Sequence, residues 1–372
     1  MQRLQRKVHG TVMEIDMNAM VHNLNYFKSK LKPGTRLMAM VKAFAYGSGS
    51  EEVANMLQYH RIDYLGVAYA DEGIELRKNN ISLPIMVMNP SEEGFPHLLE
   101  YQLEPEMYNL RILKSLISFL NGQACVIHLK MDTGMHRLGY EEGELKEVLQ
   151  LIKSAKNIRV ASVFSHLSGA DERQHDDFSS QQASAFIRMA NETEEALGYA
   201  PTRHLLNSPG ILRLPQFQFE MVRLGIGLYG VDPTEEGNAG LKPVASIKTM
   251  ISQIKTIKAG ETIGYGRKGK AETNMTLATL AIGYADGFSR SFSQGKGKVL
   301  IHGKLAPVMG NVCMDMTMVD ITGIPAAEGD EAIIFGPGLP IQQVAKWIDT
   351  IPYEILTNTS ERVKRVYYAE SI

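Results

Sequence analysis

The sequence predicts an α/β protein: an N-terminal (β/α)8 barrel over residues 1–241, then a mainly β C-terminal domain over residues 242–372. Three observations carry this expectation. From about Thr35 to Gly230, short apolar runs alternate with longer amphipathic ones, the pattern of strands and crossover helices in a parallel sheet. Eight such units fill about 200 residues, which suits a closed barrel. After about Lys242 the helical periodicity stops, and short β-rich runs alternate with glycine-containing turns. An open doubly wound sheet meets the same spacing and remains the structural competitor.

The strand candidates, in order, are RLMAMVKA, YLGVAY, PIMVMN, the weaker EPEMYN, CVIHLKMD, IRVASVFSHL, RHLLNS and MVRLGI. Between them lie helix-like stretches such as EEVANMLQYH, DEGIELRKNN, LRILKSLISFLN, EEGELKEVLQLIKSAK and FSSQQASAFIRMANETEEAL, with another over 17–31 before the first strand. In the second domain, KAGE, IHGK, PAAEGDE and FGPG mark turns, and VAKWIDT is the one helix-like run.

The 372 residues include 39 Lys+Arg against 41 Asp+Glu, a net charge of −2 that gives no basic excess for nucleic acid. A chain of this size buries roughly 75% of its unfolded surface, so it needs no disulfide or metal staple. Cys125 and Cys313 are too far apart for a disulfide framework or a CxxC site, which makes a reducing cytoplasm the default expectation. No apolar run has the roughly 18 residues of a membrane helix. Zinc HExxH and serine-hydrolase GxSxG patterns are absent, and no metal is expected. Asp132-Thr133-Gly134 spells an aspartic-protease triplet, but that chemistry needs two carboxylates sharing a proton, and the triplet occurs once. The GxGxxG match at Gly264–Gly269 has no following helix to bind a dinucleotide.

In a barrel, functional groups belong at the C-terminal ends of the strands. The first strand ends in Lys42, followed by the small-residue loop AFAYGSGS. A lysine on such a wall loses solvation, which lowers its pKa and frees the amine to form a Schiff base; a snorkelling surface lysine is the plainer reading. Strand five delivers Lys130 and Asp132, then Arg137 in the loop, and strand six delivers His166. Strand seven ends at Asn207-Ser208, where Ser208-Pro209 reads as an N-cap and first helical residue with free amides for an anion. Arg223, Gly225 and Ile226 follow on strand eight. Loops after strands seven and eight form the recurrent phosphate site of such barrels, so a phosphorylated ligand is expected, and with a wall lysine that ligand suggests pyridoxal phosphate.

MVKAFAYGSG resembles the cofactor-lysine motif of bacterial alanine racemases, and the likeness continues through HLKMDTGMHRLG, FSHLSGAD, NSPG, MVRLGIGLYG, IGYG, AIGYADG, GNVCMD, PYE and RVKR. It spans nearly the whole chain, in order. The resemblance implies a racemase that interconverts L- and D-alanine, supplying D-alanine for peptidoglycan. It also implies a head-to-tail homodimer with shared sites. By motif, Lys42 resembles the lysine that binds pyridoxal 5'-phosphate and acts as one base, and Tyr265 the opposite base from the other subunit. Tyr46, Ser208, Gly225, Ile226 and Tyr353 match phosphate-binding positions, with Asn207 beside them. Arg223 matches the residue facing the cofactor ring nitrogen, and His166 its supporting partner. Arg137 matches the arginine beside the cofactor hydroxyl and substrate carboxylate, and Lys130 a lysine often carbamylated to hold that arginine. Met314 matches a partner-subunit residue at the substrate carboxylate, with Asp315 next to it. Phe44, Ser48, His136 and Asn311 depart from the usual residues at their positions.

Competing readings are a broader-specificity amino-acid racemase of the same fold, a related basic-amino-acid decarboxylase and a non-catalytic pyridoxal-phosphate carrier. The decarboxylase is disfavoured because EPGR-like and GGG-type motifs are absent; the carrier is disfavoured by a β domain bearing Tyr265 and Met314. The polar, basic lead-in Met1–Lys7 is compatible with fusion to a cell-wall ligase domain and equally with a free start.

Overall fold

The structure is a computed structural model that describes residues 10–234, 237 and 240–369. The lead-in Met1–Lys7 lies outside the described residues. Strand β1 (Val12–Asp16) is the first element of the described residues, and Asp16 caps the helix Met17–Ser29 by accepting a hydrogen bond from the Ala19 amide at 2.9 Å. Met20, Leu24 and Phe27 recur at helical spacing and are fully buried, each stabilising the fold by roughly 1.5–3 kcal/mol.

The parallel strands β2 (Arg36–Met40), β3 (Tyr64–Val67), β4 (Ile85–Val87), β5 (Glu104–Met107), β6 (Cys125–Lys130), β7 (Ile158–Phe164), β8 (Thr202–His204) and β9 (Met221–Leu224) follow. Among the described residues these eight close a barrel in sequence order, sealed where Leu37 of β2 pairs with Val222 of β9. Every one of the eight runs read from the sequence supplies a barrel strand, so the open-sheet alternative is excluded. Residues two apart on a strand face the same way. Glu104 and Glu106 on β5, His128 and Lys130 on β6, and Ser162 and Phe164 on β7 thus enter the barrel interior in successive layers.

The second half is a sheet assembly. It comprises β10 (Ala245–Ile257), β11 (Thr262–Ile263), β12 (Gly269–Lys270), β13 (Met275–Leu280), β14 (Lys298–Ile301), β15 (Lys304–Pro307), β16 (Thr317–Asp320), β17 (Glu331–Phe335) and β18 (Lys364–Tyr368). The long β10 carries register breaks at Ile247/Lys248 and Ile251/Gln253, which let one strand serve β17 near its start and β13 further along.

Two features differ from the sequence expectation. The run VMEID forms a strand, β1, and it lies in the second half's sheet, antiparallel to β10 and parallel to β18. Among the described residues the C-terminal domain also holds two short α-helices, Ile341–Lys346 and Pro352–Thr357, where one was expected. Proline at the first helical position pre-sets the second. No helix among the described residues is long and apolar enough to cross a membrane.

Candidate active site

At the C-terminal end of the barrel lies a cavity of about 750 Å³. Lys42, Tyr46, Lys130, Arg137, His166, Asn207, Ser208, Arg223, Gly225, Ile226 and Tyr353 all line it. Eleven positions singled out in the sequence thus converge, the first ten from five different strand ends and Tyr353 from the helix Pro352–Thr357 of the second half. Tyr265 and Met314 do not. They are 75% and 53% exposed on the second half, where Tyr265 borders a separate open pocket beside Cys313.

Lys42 is followed by an unusual backbone. Ala43, Phe44, Ala45 and Tyr46 all have φ near +50°, a left-handed turn that costs roughly 1–2 kcal/mol per residue outside glycine. Contacts from three directions hold it. Glu72 accepts hydrogen bonds from the amides of Ala43 and Ala68, both at 2.6 Å. Arg365 donates to the Gly47 carbonyl at 2.9 Å, its guanidinium lying 5.3 Å from the Phe44 ring centre, and Tyr367 donates to the Ser48 carbonyl at 3.0 Å. The closing RVKR motif therefore secures the lysine loop, and Phe44 supplies the ring on which Arg365 rests. Burial lowers the Lys42 pKa, the Arg137 charge lowers it further, and Glu72 and Glu106 oppose the shift.

The anion cradle is built from β8 and β9. Asn207, rather than Ser208, caps the helix Ser208–Arg213, accepting from the Gly210 amide at 3.1 Å, so the expected cap moves by one residue. That shift frees the Ser208 hydroxyl to accept from the Gly225 and Gly227 amides at 2.9 and 3.3 Å. The intervening Ile226 amide donates to no partner among the described residues. A Cβ on Gly225 would approach the Tyr46 hydroxyl to 2.9 Å, so glycine keeps the cradle open. Tyr46 is fixed by stacking on Tyr229 at 4.5 Å, and Tyr353 stands 6.1 Å away, its phenol pushed up to about 12 by burial.

Beneath the cradle, Arg223 is buried and held by the carbonyls of Ser165, Leu205 and His204 at 2.6, 3.0 and 3.2 Å. It also touches His204 Nδ1 at 2.8 Å and His166 Nδ1 at 3.1 Å. Burial brings it down to about 10, still well above neutrality, so it remains a cation. Burial, followed by Arg223 itself, drives His166 well below its ordinary value. From His204 a hydrogen-bonded chain crosses the barrel: Nε2 to Ser162 Oγ at 2.8 Å, Oγ to His128 Nδ1 at 2.6 Å, and His128 Nε2 to Glu104 Oε2 at 2.9 Å. Arginine only donates, so His204, kept neutral by burial, accepts at Nδ1 and carries its own proton on Nε2, directed along the chain toward Ser162 and Glu104. Glu104, His128, Ser162 and His204 carry no motif that marks them as site residues; their signal is polar residues at period two inside apolar strand runs.

Asp132 of the rejected protease triplet is a loop builder. Burial would raise its pKa, but the Gly134, Met135 and His136 amides it accepts outweigh that and hold it low. His136, where glycine is usual, has φ of 53°, a left-handed angle that explains the usual residue. In the second half, Arg362 joins Asp286 of AIGYADG to Asp315 of GNVCMD, both at 2.7 Å, and Asn311 donates to the Tyr265 carbonyl at 3.4 Å.

Comparison with known proteins agrees with this architecture. The family model of the alanine racemase N-terminal domain matches residues 15–233, and that of the C-terminal domain matches residues 244–367. The chain belongs to the alanine racemase family. It is thus an isomerase, and members of the family depend on pyridoxal phosphate. The alanine racemase of Clostridium tetani is 37% identical over 367 residues, covering 95% of this chain and 94% of its own. The structure of alanine racemase from Clostridium difficile 630 superposes with a TM-score of 0.90 at 36% identity, covering 96% of both chains. That of alanine racemase from Bartonella henselae, with covalently bound pyridoxal phosphate, has a TM-score of 0.89 at 29% identity, over 96% of this chain and 99% of the other.

Proposed function

We propose that this chain interconverts L-alanine and D-alanine with pyridoxal 5'-phosphate on Lys42, using two opposed bases, and so supplies D-alanine for cytoplasmic assembly of peptidoglycan precursors. The observation that carries the reading is the convergence of a desolvated lysine, an anion cradle and a buried arginine in one cavity of a full-length family match. The residues fit the coenzyme. Ser208, Gly225, Ile226, Tyr46 and Tyr353 would hold its phosphate, with Asn207 fixing the turn, and Arg223 with His166 would face its ring. When bound, the coenzyme supplies a sink for negative charge at the substrate's α-carbon.

Racemisation takes a proton from one face of that carbon and returns one to the other, so two acid–base groups must stand opposite each other. Lys42 is the first, its amine poised by the burial that lowers its pKa. Tyr265 of the partner subunit is the second. The exposed apolar surface around it, Tyr284, Met314 and Met316, supports a homodimer in which each chain completes the other's site. Arg137 and the partner subunit's Met314 would fix the substrate carboxylate. Because Arg223 stays protonated, it would face the coenzyme's ring nitrogen as a donor that keeps its proton, which would limit charge build-up there.

The test is incubation of the purified protein with L-alanine in deuterated water, read by proton NMR and chiral chromatography. D-alanine carrying solvent deuterium at the α-carbon is expected; carbon dioxide release, or no exchange, refutes the reading. Mixed Lys42→Ala and Tyr265→Ala subunits should regain activity through one intact site per heterodimer. No recovery after proven mixing would rule out shared sites.

A further inference from the structure

Lys42, Lys130, Arg137 and Arg223 bring four cationic side chains to one cavity. The carboxylate facing them from inside the barrel is Glu106 of β5, whose side chain is fully buried and whose Oε1 lies 3.3 Å from Lys130 Nζ. The pair is an ion contact: neither Glu106 oxygen accepts a well-aligned hydrogen bond among the described residues. The Phe164 ring lies under both Lys130 and Arg223, each 5.3 Å from its centre. An aromatic face at that range favours a cation over an anion at the Lys130 amine. Burial pushes Glu106 up and Lys130 down, and the two charges, 3.3 Å apart, oppose both shifts, with Arg223 and Arg137 also favouring the Glu106 anion.

We propose that Glu106 is a positioning residue that keeps Lys130 an unmodified ammonium, its carboxylate standing where a lysine carbamate would otherwise supply the negative charge. The inference rests on the racemase reading for what the pair serves, but not for whether the pair forms. Carbamylation requires the ammonium to lose a proton, the neutral nitrogen to attack carbon dioxide, and a second proton to leave as the N–C bond forms. The product is an anion. Here it would sit against a carboxylate already sealed from water and over the negative face of Phe164, so both neighbours oppose it. One buried anion is already in place, supplied by the strand.

The full chain, equilibrated with 13C-labelled bicarbonate, reports this directly by 13C NMR. Wild-type protein is expected to lack a lysine-carbamate carbonyl signal. Glu106→Gln keeps the shape but removes the charge, leaving Lys130 beside Arg137 and Arg223 with no anion; a carbamate signal should appear and vanish when Lys130→Arg is added. A carbamate on Lys130 in wild-type protein, or none in folded Glu106→Gln, overturns the proposal. Should that variant fail to fold, the wild-type spectrum and the 15N shift of Lys130 Nζ decide alone: an ammonium shift supports the pair, a carbamate shift refutes it. No racemase activity is read, so failure here and failure of the proposed reaction are separate results.

Discussion

Replacing Arg365 by methionine tests whether the left-handed turn after Lys42 is held from outside. Four consecutive non-glycine residues with φ near +50° oppose folding by roughly 4–8 kcal/mol at about 1–2 kcal/mol each. Against this, Arg365 donates to the carbonyls of Gly47, Ser360, Val363 and Thr359 at 2.9, 2.6, 2.6 and 2.8 Å, and stacks on Phe44. A charged hydrogen bond contributes about 1.5–3 kcal/mol, but the group is half-buried and water can satisfy some of the bared carbonyls. A net loss of about 3 kcal/mol follows, measurable by urea denaturation. Part of it should be local: amide exchange at Gly47, Ser48 and Gly49, which close the turn onto Ala43, Ala45 and Phe44, should quicken by up to about 100-fold. Arg365→Lys keeps the charge without the fork and should fall between. A loss under about 0.5 kcal/mol with unchanged exchange at these amides would refute the reasoning.

Ser162→Ala leaves one nitrogen each of His128 and His204 unpaired inside the barrel, and should cost about 2–4 kcal/mol in chemical denaturation. In 15N NMR the wild-type His204 should carry its proton on Nε2; an Nδ1-protonated tautomer would contradict the chain's direction. Burial holds His204 well below its ordinary 6.5, so the unfolded chain binds the extra proton first as pH falls. Its contribution is complete above pH 6.5 and should decline below it by about 1 kcal/mol per pH unit, toward the lower folded value. A stability from pH 7.5 to 5 that His204→Gln leaves with the same slope would exclude this. Gly225→Ala drives a methyl against the fixed Tyr46 hydroxyl and should weaken coenzyme binding about 10–100-fold by absorbance titration, with unchanged affinity as the disproof.

The barrel is legible in the sequence because each strand is a short apolar run flanked by amphipathic helices. EPEMYN is the weak one for an instructive reason: the glutamates that spoil its apolar character, Glu104 and Glu106, are those the barrel interior takes in. Their partners His128 and Lys130 lie on the next strand, so pairing registers, not composition, reveal them. The residues around the coenzyme cavity are readable by motif, whereas the grip of Arg365 and Tyr367 on the lysine turn spans more than 300 residues of sequence. β1 escapes notice because VMEID is five residues long, abuts a helix, and finds its neighbours only at Lys248 and Lys364.

That strand also decides how the molecule can be divided. β1 is an internal rung, flanked by β10 and the edge strand β18, so severing the chain near residue 241 would carry the link between those two strands away with the wrong fragment. The barrel piece would trail a naked ribbon of backbone donors and acceptors, while the other piece would be left with a slot one strand wide. The two fragments should be sticky apart and soluble when co-expressed, reuniting through that missing ribbon.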